Sequence, residues 1–226
     1  MSEKSALLAL EFSGKHSSVA LAVAAANTSA ANKATFFQRS SEGPRGRFLL
    51  QEVDQLLEQA ELPRECLGGI VAGIGPGSYT GLRIACAAAH ALGFALDIPY
   101  AGICSFEAAL FAAPQGSTVH IVQDAYRKEA YYACGQHQMG EAKLSDGPRV
   151  IAIDQIPTAV ADQEAFLICD ERLSGKLAKA EDALLKPQAV DLLKIAMQRG
   201  VNAHGEGWDS LAAAEPMYLR AAAFRQ

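Results

Sequence analysis

Apolar residues recur along this chain in two rhythms, and the switching between them predicts an α/β fold. Ala6 to Leu10 is a short apolar run ending in Glu11-Phe12-Ser13-Gly14, and a second, Ser18 to Ala25, follows after a tight turn. A third strand is expected over Ala34 to Gln38, past a polar stretch from Asn27 to Lys33, so the chain opens as a meander. A polar loop from Ser40 to Arg47, with Gly43, Pro44 and Gly46, then changes the rhythm. Leu49, Val53, Leu56, Leu57 and Ala60 share one helical stripe while Glu52, Gln55, Glu58 and Gln59 face away, which predicts a helix lying on a sheet by one side. A buried strand over Leu67 to Ile74, a glycine turn, a helix over Thr80 to Leu96 and a strand over Pro99 to Ile103 come next. A helix over Ser105 to Ala112, which Ser105 can cap, closes the series. The succession β-β-β-α-β-α-β-α places parallel central strands between crossover helices.

A boundary falls near Ala113-Pro114-Gln115-Gly116 and divides the chain into residues 1–113 and 114–226. Beyond it, strands are expected at Val119 to Gln123 and Ala130 to Cys134, joined by Asp124-Ala125-Tyr126-Arg127-Lys128-Glu129. A strand at Ala165 to Ile168, a short helix near Leu173 to Lys179 and a helix over Gln188 to Gln198 complete the reading; residues 136–210 otherwise carry few signals.

The helix after the glycine turn is unusual. Between Ile84 and Leu96 only His90 is polar. With Leu82, Ala85, Ala89, Leu92 and Leu96 toward the sheet, the opposite stripe is Arg83, Ala87, His90, Ala91 and Phe94. A helix apolar all round is normally buried all round, so this stripe needs a cover: a partner, or the chain's own second half.

The turn itself runs Gly75-Pro76-Gly77-Ser78-Tyr79-Thr80-Gly81 between strand and helix. Such a junction aims backbone N–H groups and the positive end of a helix dipole outward, which makes Gly75, Gly77, Ser78 and Thr80 candidates for holding an anion. Close backbone packing explains the same glycines. The spacing is neither G-x-G-x-x-G nor a P-loop, and Ser78 lacks the flanking glycines of a nucleophile elbow.

Residues 75–84 resemble the G-P-G-S-[FY]-T-G-L-R signature of the TsaB (YeaZ) family, accessory proteins in the synthesis of threonylcarbamoyladenosine on tRNA. Asp124, Ala125, Glu129 and Tyr131 fit a second motif of that family, from which Tyr126 departs, and Pro216-Met217-Tyr218-Leu219-Arg220 resembles its closing Pro-x-Tyr-Leu-Arg. The resemblance implies an actin-like ATPase (ASKHA, ribonuclease H-like) fold with one complete N-terminal half and a reduced second half. It implies a non-catalytic subunit that supports a TsaD-type transferase as a heterodimer, with a TsaE-type ATPase as a third component. tRNA is then reached only indirectly through the complex; the outer stripe, left without its partner, should pair with itself around a two-fold axis as a homodimer, and no cofactor is expected. In such folds the first turn usually reads Asp-Thr-Ser, and in catalytic relatives its acid helps organise metal and phosphate. Here Glu11-Phe12-Ser13 stands there, and Glu11 reads as a strand-ending acid in a hairpin. The Arg83, Ala87, His90, Ala91 and Phe94 stripe is then the expected interface with the paralogue.

Composition narrows the rest. The chain has 226 residues, 50% of them hydrophobic and 20% charged, which describes an ordinary globule. A net charge of −5 argues against an extensive basic face for tRNA. Cys66, Cys86, Cys104, Cys134 and Cys169 are scattered without a C-x-x-C, as reduced thiols of a cytoplasmic protein would be. No secretory signal and no membrane-spanning run is expected. His16, His90, His120, His137 and His204 include no i, i+4 pair, so no metal site is expected, and no Ser or Cys sits in a recognisable nucleophile setting. The rival reading is a stand-alone nucleotide-dependent enzyme of the sugar kinase and ATPase superfamily. The short second half and the lack of a second glycine-rich phosphate turn argue against it.

Overall fold

A computed structural model of the chain describes residues 5–24, 34–42, 46–162, 164–177 and 181–219. Its first sheet begins with β1 (Ala6–Glu11), β2 (His16–Ala24) and β3 (Ala34–Glu42), paired antiparallel in sequence order. Helix α1 (Leu49–Gln59) leads into β4 (Leu67–Gly73), and α2 (Tyr79–Leu96) leads into β5 (Tyr100–Ile103); both strands run parallel to β1. The order across the sheet is β3-β2-β1-β4-β5. The expected loop at 27–33, Gly43 and Pro44, residues 178 and 179 and Arg220 lie outside the described residues.

The second sheet repeats this plan. β6 (Ser117–Asp124), β7 (Glu129–Gln138) and β8 (Glu141–Ala152) form an antiparallel meander, and β9 (Phe166–Cys169) and β10 (Ala183–Leu184) run parallel to β6 in the order β10-β9-β6-β7-β8. What differs is the crossovers. The helix before β9 is the four-residue α4 (Ile156–Ala159), and turns over residues 171–176 stand where a short helix was expected from Leu173. Asp170 explains this: its Oδ1 accepts the Leu173 N–H at 3.1 Å, closing a side-chain turn that competes with helix.

β8 has no counterpart among the expected strands. It is an edge strand with mostly exposed or half-buried residues, so the apolar alternation that marks a half-buried strand is diluted. Its pairing with β7 shifts register around Cys134, next to Pro148, a residue that sheets accept at edges and bulges. Helix α3 (Ser105–Ala109) is shorter than expected and continues as a 3₁₀ turn over Leu110–Ala112. Ser105 is not its cap; Cys104 holds that position, and the Ser105 hydroxyl is buried and engaged elsewhere.

The last helix, α5 (Ala189–Gln198), comes after the second sheet in sequence but packs on the first. Its Leu192, Leu193, Ile195 and Ala196 join Leu7, Ala9, Ala20, Ala22 and Val71 in one buried cluster on the sheet face opposite α1 and α2. Ser18 Oγ accepts the Ala189 N–H at 2.9 Å and Gln38 Oε1 accepts that of Val190 at 3.0 Å, so two strands of the first sheet tie the helix start. The segment beyond α5 stays there. A Cβ at Gly69 would lie 2.0 Å from the Trp208 ring, so the missing side chain on β4 is what admits the indole. Gly102 N–H of β5 donates to Ala212 O at 2.7 Å.

Candidate functional site

Helix α2 is set by its cap and by its inner stripe. Ser78 Oγ accepts the Gly81 N–H at 3.3 Å, and Asp97 in the left-handed region ends the helix after Leu96. Leu82, Ala85 and Ala89 are buried against the sheet, and Leu92 and Leu96 are half-buried. Arg83, Ala87, His90, Ala91 and Phe94 all lie on the exposed face, Phe94 with 90% of its surface open. The chain's own second half does not cover them, since α5 occupies the other side of the sheet.

Aromatic residues that the stripe alone does not reveal frame this face. The Arg83 guanidinium stands 4.6 Å over the Tyr79 ring, and Tyr79 packs against Tyr218 with centroids 5.3 Å apart. His90 packs on Tyr100 in a tilted arrangement, with ring centroids 4.6 Å apart. Tyr79 is one helical turn before Arg83, so i, i+4 spacing was a signal for it; Tyr100 and Tyr218 come from distant segments that no periodicity joins. Phe48 and Leu50, 51% and 61% exposed, sit at the start of α1 in the same helical layer.

The glycine turn places its donors differently. Gly75 N–H donates to Ser105 Oγ at 3.1 Å, and Ser78 N–H donates to the Ser13 carbonyl at 2.7 Å. A Cβ at Gly77 would lie 2.4 Å from that carbonyl, so the glycine lets the turn press against the β1–β2 connection. Two of the candidate anion donors are thus spent on packing. Gly75 is buried, and only Gly77, Ser78 and Thr80 of the four border open space.

Glu11 closes the same knot from below. It is fully buried; its Oε1 accepts the Ser13 N–H at 2.7 Å and its Oε2 accepts the Ser105 hydroxyl at 2.8 Å. Burial pushes its carboxyl above the ordinary 4.5, and the hydrogen bonds from Ser13 and Ser105 pull the other way. Both oxygens serve protein donors, so the acid acts as a bracket between β1, the turn and α3.

Between the two sheets lies a cleft of about 660 Å³, lined among others by Lys15, His16, Thr80, Gln123, Asp124, Tyr126, Asp170, Arg172 and Lys186. Lys15 Nζ meets Glu171 Oε2 at 2.9 Å, an exposed ion pair between the β1–β2 turn and the segment after β9. Burial raises the Asp170 carboxyl, against the N–H groups of Leu173 and Asp124. Among the described residues no three His, Cys, Asp or Glu side chains gather as metal ligands, and no helix is long and apolar enough to cross a membrane.

Two sheets of one strand order facing each other across a cleft define an actin-like α/β protein. Residues 47–214 match the family model described as TsaD, tRNA N6-adenosine threonylcarbamoyltransferase. Among solved structures, YeaZ from Pseudomonas aeruginosa superposes with a TM-score of 0.73 at 29% identity, over 95% of this chain and 100% of that one. A second structure, described as an uncharacterized protein with similarity to peptidase YeaZ from Pseudomonas aeruginosa, gives 0.73 at 30% identity, over 96% and 100%. The chain belongs to the YeaZ (TsaB) family. Over shorter spans it is 46% identical to an uncharacterized protein of Mycobacterium leprae, across 34% of this chain, and 34% identical to the tRNA threonylcarbamoyladenosine biosynthesis protein TsaB of Bacillus subtilis, across 39%. These matches span 21% and 39% of the lengths of those two relatives.

Proposed function

We propose that this chain is a non-catalytic accessory subunit in the synthesis of threonylcarbamoyladenosine on tRNA. It supports a TsaD-type transferase by pairing with it through the outer face of α2, with a TsaE-type ATPase as third component, in the cytoplasm. The observation that carries the reading is that face: Arg83, Ala87, His90, Ala91 and Phe94 exposed together on a helix of mostly small apolar residues. Leaving Phe94 in water wastes apolar burial, and small residues let a second helix approach closely. The rim of Tyr79, Arg83 and Tyr100 supplies the residue types that dominate binding energy at interfaces. Without the transferase, the same face pairs with a second copy around a two-fold axis.

A stand-alone nucleotide-dependent enzyme is the weaker reading. Glu11 is buried with both oxygens used, and the described residues between β9 and β10 form turns rather than a helix that could aim a second set of N–H groups at a nucleotide. Co-purification with the transferase and light scattering test the proposal. Ala87→Trp should abolish the homodimer and weaken transferase binding at least tenfold while the melting temperature holds, because position 87 is exposed in the monomer. Wild-type assembly by this variant, or ATP turnover that follows the pure chain through gel filtration, would sink it.

A further inference from the structure

The second family motif, Asp124 to Tyr131, has no part in the α2 face, and the structure gives its middle an uncommon form. Tyr126, Arg127 and Lys128 are consecutive left-handed residues, with φ of 61°, 55° and 63°, and none is glycine. Four hydrogen bonds hold them so. Tyr126 N–H donates to Asp124 Oδ1 at 2.8 Å, Ala125 N–H to Glu129 O at 2.9 Å, Glu129 N–H to Tyr126 O at 3.0 Å and Ile153 N–H to Lys128 O at 3.0 Å. The result is a rigid turn that displays one aromatic and two cationic side chains, all exposed, where Tyr126 meets the interlobe cleft.

The charges around it sort unevenly. Neither Arg127 nor Lys128 is in an ion pair with a described residue, and Arg172 comes only to 4.0 Å of Asp124 while its guanidinium lies 4.5 Å over the Tyr126 ring. Three acids beside the cleft are already engaged: Asp124 by the Tyr126 N–H, Asp170 by the N–H groups of Asp124 and Leu173, Glu171 by Lys15.

We propose that this turn, with Arg172, is a contact for single-stranded RNA. The inference rests on the accessory reading above and deepens it, giving the chain its own hold on the nucleic acid where the resemblance implied only an indirect one. A tyrosine ring and a guanidinium plane are the surfaces on which unstacked bases lie, and Arg127 and Lys128 are adjacent exposed cations of the kind that meet phosphates. The Arg172 guanidinium is taken up by the Tyr126 ring and that of Arg127 is in no ion pair with a described residue that would fix it on one base edge, so the contact is sequence-tolerant. An acidic peptide would use the two cations but leave the stacked Tyr126 and Arg172 without a role. The net charge of −5 limits the footprint to a few phosphates, so the contact is weak by itself and adds to the complex.

Fluorescence anisotropy with a labelled RNA stem-loop and a blunt RNA duplex tests this, on the chain alone and on its complex with the transferase, over a salt series. The stem-loop should bind more tightly than the duplex. Arg127→Glu combined with Lys128→Glu should weaken stem-loop binding at least tenfold and flatten the logarithmic salt slope by about 1.4, the share of two single-strand phosphates. Tyr126→Ala should weaken binding about tenfold and leave the slope alone, as lost stacking does. Both variants should keep the wild-type melting temperature and affinity for the transferase. Equal binding of duplex and loop, no binding by either chain or complex, or an unaffected charge-reversal variant would overturn the proposal. Loss of the transferase by the charge-reversal variant would overturn it too, reassigning the turn to a protein contact. If instead the wild-type chain fails to bind the transferase, the accessory reading falls, while the measurement on the chain alone still decides the turn.

Discussion

The two sheets have the same strand order and sense, and they are clothed unequally. The first carries α1 and the 18-residue α2 on one face and α5 on the other, and its central β1 is buried at every position. The second has a four-residue helix and turns in the corresponding crossovers, and its edge strand β8 is largely open. A shared plan thus serves two ends. Long crossovers give the first lobe an outer helical surface whose stripe from Arg83 to Phe94 is left exposed. Short ones leave the second lobe to shape a cleft wall and to display loops.

The heaviest blow to this division falls on the borrowed layer. Leu193 is fully buried between α5 and the first sheet, so Leu193→Asp should cost more than about 4 kcal/mol and leave the first lobe without a cooperative transition. Circular dichroism melting reads it, and a native-like transition would mean that the first lobe stands without its α5 face. A smaller loss should follow at the bracket beneath the turn. A Cβ at Gly73 would lie 1.9 Å from Glu11 Oε2, and that carboxylate is pinned on both oxygens, so Gly73→Ala should cost about 2–3 kcal/mol. Because the clash is with one side chain, Gly73→Ala with Glu11→Ala should cost less than the sum of the two in denaturant unfolding. Additive losses would place the strain elsewhere.

The mildest effect is one of pH. The Glu11 carboxyl is raised in the folded state, so the native protein holds this proton more tightly than the unfolded chain does. Its contribution to stability is complete below the ordinary value of 4.5 and is lost as pH rises through the folded value. Melting temperature should therefore decline over that window in the wild type, and Glu11→Gln should remove that part of the decline. A variant that keeps the full wild-type slope would assign it to Asp170 or Asp191, whose carboxyls burial also raises.

Much of the first lobe was legible because its elements are strongly periodic. The α1 stripe, the β4–turn–α2 junction and the outward set from Arg83 to Phe94 follow from spacing alone, and the structure puts them on the faces that spacing implies. The second lobe was less so. β8 is an edge strand without clean alternation, and Asp170 ends a helix signal with its own carboxylate. Tertiary choices left no local trace: nothing in Ala189 to Gln198 says which sheet it will cover, and the indole seat at Gly69 depends on Trp208, far along the chain. Ser105 was misread as a cap because its first-turn position suits one, whereas the buried Glu11 carboxyl, brought near only by the fold, takes its hydroxyl.

The route of α5 also orders events during synthesis. The first lobe leaves the ribosome first, yet one face of its sheet has no cover until residues 189–203 have followed. The second lobe, made entirely from residues 117–184, has every strand in hand before that moment. The part translated first is thus the part completed last. Through most of translation the nascent chain therefore carries the apolar sheet face of Leu7, Ala9, Ala20 and Val71 without the helix that covers it in the finished fold, the kind of surface through which incompletely folded chains aggregate.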